Sequence, residues 1–251
     1  MIRNLYTFGC SLTKDTFQDT WADILAEKFS LKLHNRAERG AGADFVSKRV
    51  LTSTDITSDD SLVAIMWPCA DRFDLWADHT VPHLLDDQIY ASWVDGNRPA
   101  LIDMHGHRGQ DQGYILNGSI PRGYKHKWYK FFYSPYQAVH DWYTRIIQTQ
   151  LVLQSRKQRV IMMAAFALDN PLHCHVAVFN IDHTIFGQID QDLFVGPCMG
   201  GGFQSWCVTN NLGFTDPHHP NSAAHAMWVD KFMFDRMQKI LYTDIHTTKY
   251  S

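Results

Sequence analysis

The spacing of apolar positions along this chain changes several times, and each change marks an element. "NLYTF", Asn4 to Phe8, is a short β-prone run, and "TFQDTWADILAEKFS" then sets Phe17, Trp21, Ile24, Leu25 and Phe29 at helical spacing. "LKLHNRA" reads as a second short strand, and "RGAGADFVSKRVL" as a glycine-rich turn running into a second helix. "SLVAIMW", Ser61 to Trp67, is apolar almost throughout, the pattern of a strand covered on both faces. "PYQAVHDWYTRIIQTQLVLQSR" predicts a long helix, with Ser134 as its N-cap and Pro135 at its first position. "RVIMMAAF" predicts another buried strand, and "NSAAHAMWVDKFMFDRMQKIL" a last helix entered through His219-Pro220.

Two regions do not follow these periods. From about Asp78 to Tyr133 the chain is rich in Gly, Pro, His and aromatics, and it reads as an insertion, partly hairpin and partly loop. Ala167 to Gly213 is ambiguous, with "GPCMGGGF" an irregular loop. Short apolar strands that alternate with helices imply a parallel sheet covered on both sides. The expected fold is therefore α/β, one domain over residues 1–251. It is a three-layer α/β/α sandwich around a parallel sheet of about five strands, with an insertion at about 78–133 after the third. Chemistry in such folds gathers at the carboxyl ends of strands. Ser11, Gly40 and the Trp67-Pro68-Cys69 step should share that rim.

Composition narrows the function classes. A formal charge of -3 argues against a general nucleic-acid binder. No run approaches the ~18 apolar residues of a membrane span, and Arg3 and Asn4 interrupt any apolar leader. The five cysteines (10, 69, 174, 198 and 207) are odd in number and lack CxxC spacing, which suits a reducing compartment. A cytoplasmic protein is expected, with release by lysis or packaging into a virus particle left open.

Candidate chemistry begins at "TFGCSLT", where Ser11 follows an apolar strand through Gly9 and Cys10. A serine hydroxyl needs a base to take its proton, and the base needs a group that fixes its tautomer. "GFTDPHHPNSAAH" supplies both: Asp216 and His219 are three apart, just before a helix, so a turn can fold the carboxylate onto one imidazole nitrogen. His218 is the rival base, and Cys10 the rival nucleophile. The pairs His105/His107 and His173/His175 suit a metal if a third ligand joins them, but polar surface is the simpler account. "RGYKHKWYKFFY", Arg122 to Tyr133, mixes cations with aromatics, as nucleic-acid binders do. A packed loop or a carbohydrate-facing wall fits the negative chain better.

These motifs carry a family resemblance. "FGCSLT" resembles the first block of the SGNH/GDSL hydrolases, with Cys10 where the family usually has Asp. "NRAERGAG", Asn35 to Gly42, resembles their second block, whose glycine N–H helps bind the oxyanion; Gly40 is the better match and Gly42 the alternative. "DPHHP", Asp216 to Pro220, resembles the last block, Asp-x-x-His-Pro, and selects Asp216 and His219. The third block, Gly-x-Asn-Asp, is missing: the strand runs into "WPCADRFDLW", without the Asn that would donate to the oxyanion. A branch with Trp at the strand end and Arg a few residues later is similar here. Arg72, a backbone N–H near Cys69-Ala70, or a residue from the insertion is a candidate substitute.

The resemblance implies a serine esterase that needs no cofactor and no metal. Ser11, Asp216 and His219 would be catalytic, and the N–H groups of Ser11 and Gly40 would form the oxyanion hole. Small acyl esters are the implied substrates, O-acetyl groups on carbohydrate among them. Arg72, Trp67, Trp128 and Tyr129 are candidates for substrate binding, and Trp93 for shaping specificity. Two other functions use the same residues or fold: acyl transfer to a sugar hydroxyl, and a non-catalytic structural or glycan-binding protein that keeps the hydrolase fold.

Overall fold

The computed structural model describes residues 2–15, 17–57, 59–72, 74–78, 101–102, 112–116, 134–169, 183–197, 201–216 and 219–247. In chain order its elements begin with β1 (Asn4–Phe8), α1 (Trp21–Lys28), β2 (Lys32–Asn35), α2 (Ala43–Thr52) and β3 (Ser61–Trp67). Next come β4 (Asp74–Asp78), β5 (Leu101–Ile102), β6 (Gln112–Leu116), α3 (Pro135–Ser155) and β7 (Arg159–Ala164). Then follow α4 (His183–Phe186), α5 (Phe203–Thr209), β8 (Phe214–Asp216), β9 (His219–Pro220), α6 (Ser222–Trp228) and α7 (Phe234–Thr247).

The main sheet is parallel, in the order β2-β1-β3-β7. All seven residues of β3 are buried, which explains its nearly continuous apolar run. A fifth strand was expected beside these four. What lies next to β7 is a single parallel bridge, Met162 to Phe194, held by the Val195 N–H on Met162 O at 2.9 Å. The chain there has just left a 3-10 turn at Gln191–Leu193, so it pairs at one point only.

Helix boundaries follow their caps. Thr20 and Asp23 close a capping box, so α1 starts at Trp21 and not at Thr16 as the apolar spacing predicts. Phe17 belongs to a turn closed by its N–H on Asp15 Oδ1, and at 87% exposure it takes no part in the helical face. α3 starts as predicted, with Pro135 in its first turn and Ser134 Oγ accepting the Gln137 N–H at 3.3 Å. The predicted last helix is divided by a π turn at Val229–Met233. That wider turn keeps Val229, Met233 and Met237 all in the core.

After β3 the chain enters a separate antiparallel sheet, in the order β4-β6-β5. This stretch is thus hairpin-like where described, and its first strand, β4, begins at Asp74. Trp93, Trp128, Tyr129, the Arg122–Tyr133 stretch and the four paired histidines 105, 107, 173 and 175 lie outside the described residues. Among the described residues, no helix is long and apolar enough to cross a membrane.

Candidate active site

The loop after β1 closes tightly against β3. At Gly9, φ is +155°, and a Cβ there would stand 2.2 Å from Thr13 Oγ1 and 2.9 Å from Met66 O, so only glycine fits. The Cys10 carbonyl accepts the N–H groups of Thr13 (2.9 Å) and Lys14 (3.2 Å), which makes a turn with Ser11 inside it. The Cys10 side chain points into the core at 1% exposure, whereas Ser11, at 7%, faces the rim.

The loop between α5 and α6 meets this turn. Asp216 Oδ1 accepts the His219 N–H at 3.0 Å, which folds the carboxylate back so that Oδ2 lies 2.7 Å from Nδ1. His219 Nε2 lies 2.9 Å from Ser11 Oγ. With Asp216 ionised, Nδ1 carries the proton and donates to the carboxylate, leaving Nε2 to accept the serine O–H. The Asp216 side chain is half exposed and that of His219 one-fifth exposed, so water screens part of the carboxylate's pull on the ring. His218, the rival base, lies outside the described residues.

Further bonds fix this loop. Thr215 Oγ1 donates to His219 O at 3.1 Å, and Gln18 Nε2 to Pro220 O at 2.9 Å, so the His219 loop is tied to the Ser11 loop. Asn221 caps α6 through Oδ1 on the Ala224 N–H (3.0 Å), and its own N–H donates to Gly213 O (2.9 Å). Beneath lies His225, 1% exposed, whose Nδ1 accepts the Trp21 N–H at 3.1 Å. Burial pushes its pKa down to about 4, so the ring stays neutral and keeps that acceptor.

The second loop lies beside the first. Its Glu38 N–H donates to Gly9 O and its Ala41 N–H to Glu38 O, both at 3.1 Å. Gly40 stands within that turn at φ +82°, in the left-handed region glycine favours. Asn35 Nδ2 donates to Thr13 O at 2.8 Å and Lys14 Nζ reaches Glu38 Oε2 at 3.2 Å, binding the two loops together. The N–H groups of Ser11 and Gly40 bond to no other described residue. The Gly42 N–H is taken: it donates to Asp74 Oδ1 at 2.8 Å, which leaves Gly40 as the oxyanion candidate of the pair.

Two of the residues expected to bind substrate are placed otherwise. Trp67 is 0% exposed in the core, so its ring cannot line a substrate cleft; the burial of β3 on both faces requires this. Arg72 is partly buried, and Nη1 donates to Ala41 O at 3.4 Å, so it braces the Gly40 loop. Sequence reasoning missed Gln18, Asn35 and Asp74, which act through backbone groups far along the chain. Asn35 alone left a signal, its place in the second block. Arg39, next to Gly40, lies over the exposed Phe17 ring at 5.9 Å. A cavity of about 320 Å³ between α3 and α4 is lined by His140, Thr144, Ile147 and Gln188 among others, and no member of the Ser11 cluster reaches it.

No family model matches the sequence, and no curated protein matches it significantly. Solved structures do resemble it. The psychrotrophic esterase EstA from Pseudoalteromonas sp., inhibited by monoethylphosphonate, is similar over 95% of this chain and 98% of its own, at 14% identity and a TM-score of 0.48. A member of the lipolytic G-D-S-L family from Veillonella parvula is similar over 90% and 96%, at 11% identity and a TM-score of 0.40. The likeness is one of backbone alone, and the α/β architecture is read from the protein's own parallel sheet.

Proposed function

We propose that this protein is a serine ester hydrolase of the SGNH/GDSL type, acting through Ser11, His219 and Asp216. One observation carries this reading: a single imidazole bonds the Ser11 hydroxyl at 2.9 Å through Nε2 and the Asp216 carboxylate at 2.7 Å through Nδ1. The arrangement suits acyl transfer. Ser11 Oγ attacks the ester carbonyl while its proton passes to His219 Nε2, and Asp216 steadies the imidazolium. The carbonyl oxygen, now negative, accepts the N–H groups of Ser11 and Gly40. As the tetrahedral adduct collapses, the C–O bond to the alcohol breaks and His219 returns the proton to the departing oxygen. Water then attacks the acyl-serine, giving its proton to the same nitrogen, and the acid leaves with Ser11 restored.

Small acyl groups are the substrates we assign, with O-acetylated carbohydrate as the natural class. The competing reading is a binding protein that keeps the fold, favoured by the absence of any Asn between Trp67 and Asp74. One experiment separates them. Purified protein should hydrolyse p-nitrophenyl acetate and become labelled at Ser11 by an organophosphonate, located by peptide mass spectrometry. Folded protein that does neither leaves the catalytic reading without support. Addition of a sugar acceptor to the assay, with product analysis, distinguishes transfer from hydrolysis.

A further inference from the structure

Two side chains of the segment leaving β3 reach back to the loop that carries Gly40. Arg72 donates to Ala41 O at 3.4 Å. Asp74 accepts two backbone donors, the Gly42 N–H on Oδ1 at 2.8 Å and the Phe45 N–H on Oδ2 at 2.7 Å. Gly42 is the N-cap of α2 and has no side chain to cap with, so Asp74 satisfies the first turn of that helix from 32 residues away.

We propose that Asp74 is a positioning residue for oxyanion stabilisation, fixing the Gly40 peptide by clamping the backbone just beyond it. This rests on the hydrolase reading given above and adds to it the function of the segment that stands where the family's Asn is missing. Gly40 sits in the left-handed region, where a glycine peptide can rotate with little steric hindrance. On one side the turn is pinned by Glu38 to Gly9 O. On the other it is pinned at Ala41 O and the Gly42 N–H, and the groups that hold those two points are Arg72 and Asp74. Release of the second anchor lets the Gly40 N–H turn away from the carbonyl oxygen it must meet.

Helix capping alone does not account for this arrangement. A Ser or Asn at position 42 would cap α2 locally. Instead position 42 is glycine, and a Cβ there would stand 2.9 Å from Asp74 Oδ2 and 3.0 Å from Arg72 O. The chain thus leaves room for a carboxylate brought from β4. It does so against a desolvation cost: burial pushes the Asp74 carboxyl up to about 7, and Asp44 adds to the rise. The Phe45 and Gly42 amides and Arg72 pull the other way. Asp44 is itself held by Lys48 (3.1 Å) and by Arg145 of α3 (2.9 Å).

Asp74→Asn is the test, compared with wild type and Ser11→Ala. The carboxamide keeps the shape but turns one donor toward an N–H. On p-nitrophenyl acetate kcat should fall about 10- to 100-fold. KM should stay within about twofold, since the clamp does not touch substrate. Phosphonate labelling of Ser11 should slow in parallel. A folded Asp74→Asn enzyme with wild-type kcat overturns the positioning role while leaving the Ser11 chemistry standing. A wild type that neither turns over nor labels overturns the hydrolase reading, and this proposal with it. If Asp74→Asn does not fold, Gly42→Ala serves in its place. Its Cβ crowds the carboxylate, and it should lower kcat several-fold at unchanged KM; full kcat in that variant overturns the proposal equally.

Discussion

His219 Nε2 stands 2.9 Å from Ser11 Oγ across 208 residues of sequence. Proximity of that kind has a direct kinetic consequence if the two groups share a proton. Ser11→Ala and His219→Ala should each lower kcat for p-nitrophenyl acetate by about 10⁴-fold or more. His219→Ala should also abolish phosphonate labelling at Ser11. Asp216→Asn should cost less, because Asp216 is half exposed and partly screened. Retained labelling in His219→Ala would show that another group activates the serine, with His218 the first to examine.

His225 makes stability depend on pH. Its folded pKa is about 4 against an ordinary 6.5, so the unfolded chain binds a proton that the native state refuses. The contribution is full above pH 6.5 and is lost as pH falls toward 4. The steepest slope from this group is about 1.4 kcal/mol per pH unit. Urea unfolding at pH 7 and pH 5 should show wild type losing up to about 2 kcal/mol more than His225→Gln does. Equal losses in the two proteins would mean that His225 titrates normally.

Gly9 should tolerate no side chain. Gly9→Ala drives a methyl into Thr13 Oγ1 and the backbone oxygen of Met66. A loss of about 3 kcal/mol is expected, seen as a lower midpoint in thermal unfolding. Activity should fall as well, since the same turn aims Ser11.

Phe17 and Arg39 come from the two loops that carry Ser11 and Gly40, and they meet in the open. Phe17→Ala should leave stability within about 0.5 kcal/mol of wild type. It should raise KM for aryl or sugar esters about threefold or more, leaving methyl acetate unaffected. Steady-state kinetics on the paired substrates will decide; an equal effect on both would show that the exposed Phe17 ring does not favour the larger esters.

What could be read in the sequence was whatever repeats locally or sits in a short block. The runs at Leu5, Val63 and Ile161 announced strands because a strand buried on two faces carries few polar positions to confuse it. The Asp216-His219 spacing announced a turn that closes within four residues. Phe17 misled, because apolar spacing cannot see that Thr20 and Asp23 start the helix after it. Trp67 misled too: a large aromatic at a strand end looks alike whether it faces a cleft or the core. Asp74 left no trace at all, since a carboxylate that serves backbone amides 32 residues away makes no pattern along the chain.

The pairing of β8 with β9 brings in His219 long after β1 has delivered the Ser11 hydroxyl. A ribosome therefore makes Ser11 early and leaves it an ordinary alcohol, no more reactive than any other serine, while some two hundred residues are added. Under the proposed mechanism, reactivity would arrive only once Asp216 and His219 have emerged and closed their turn, so a chain cut short before them should be chemically silent however well its sheet has formed.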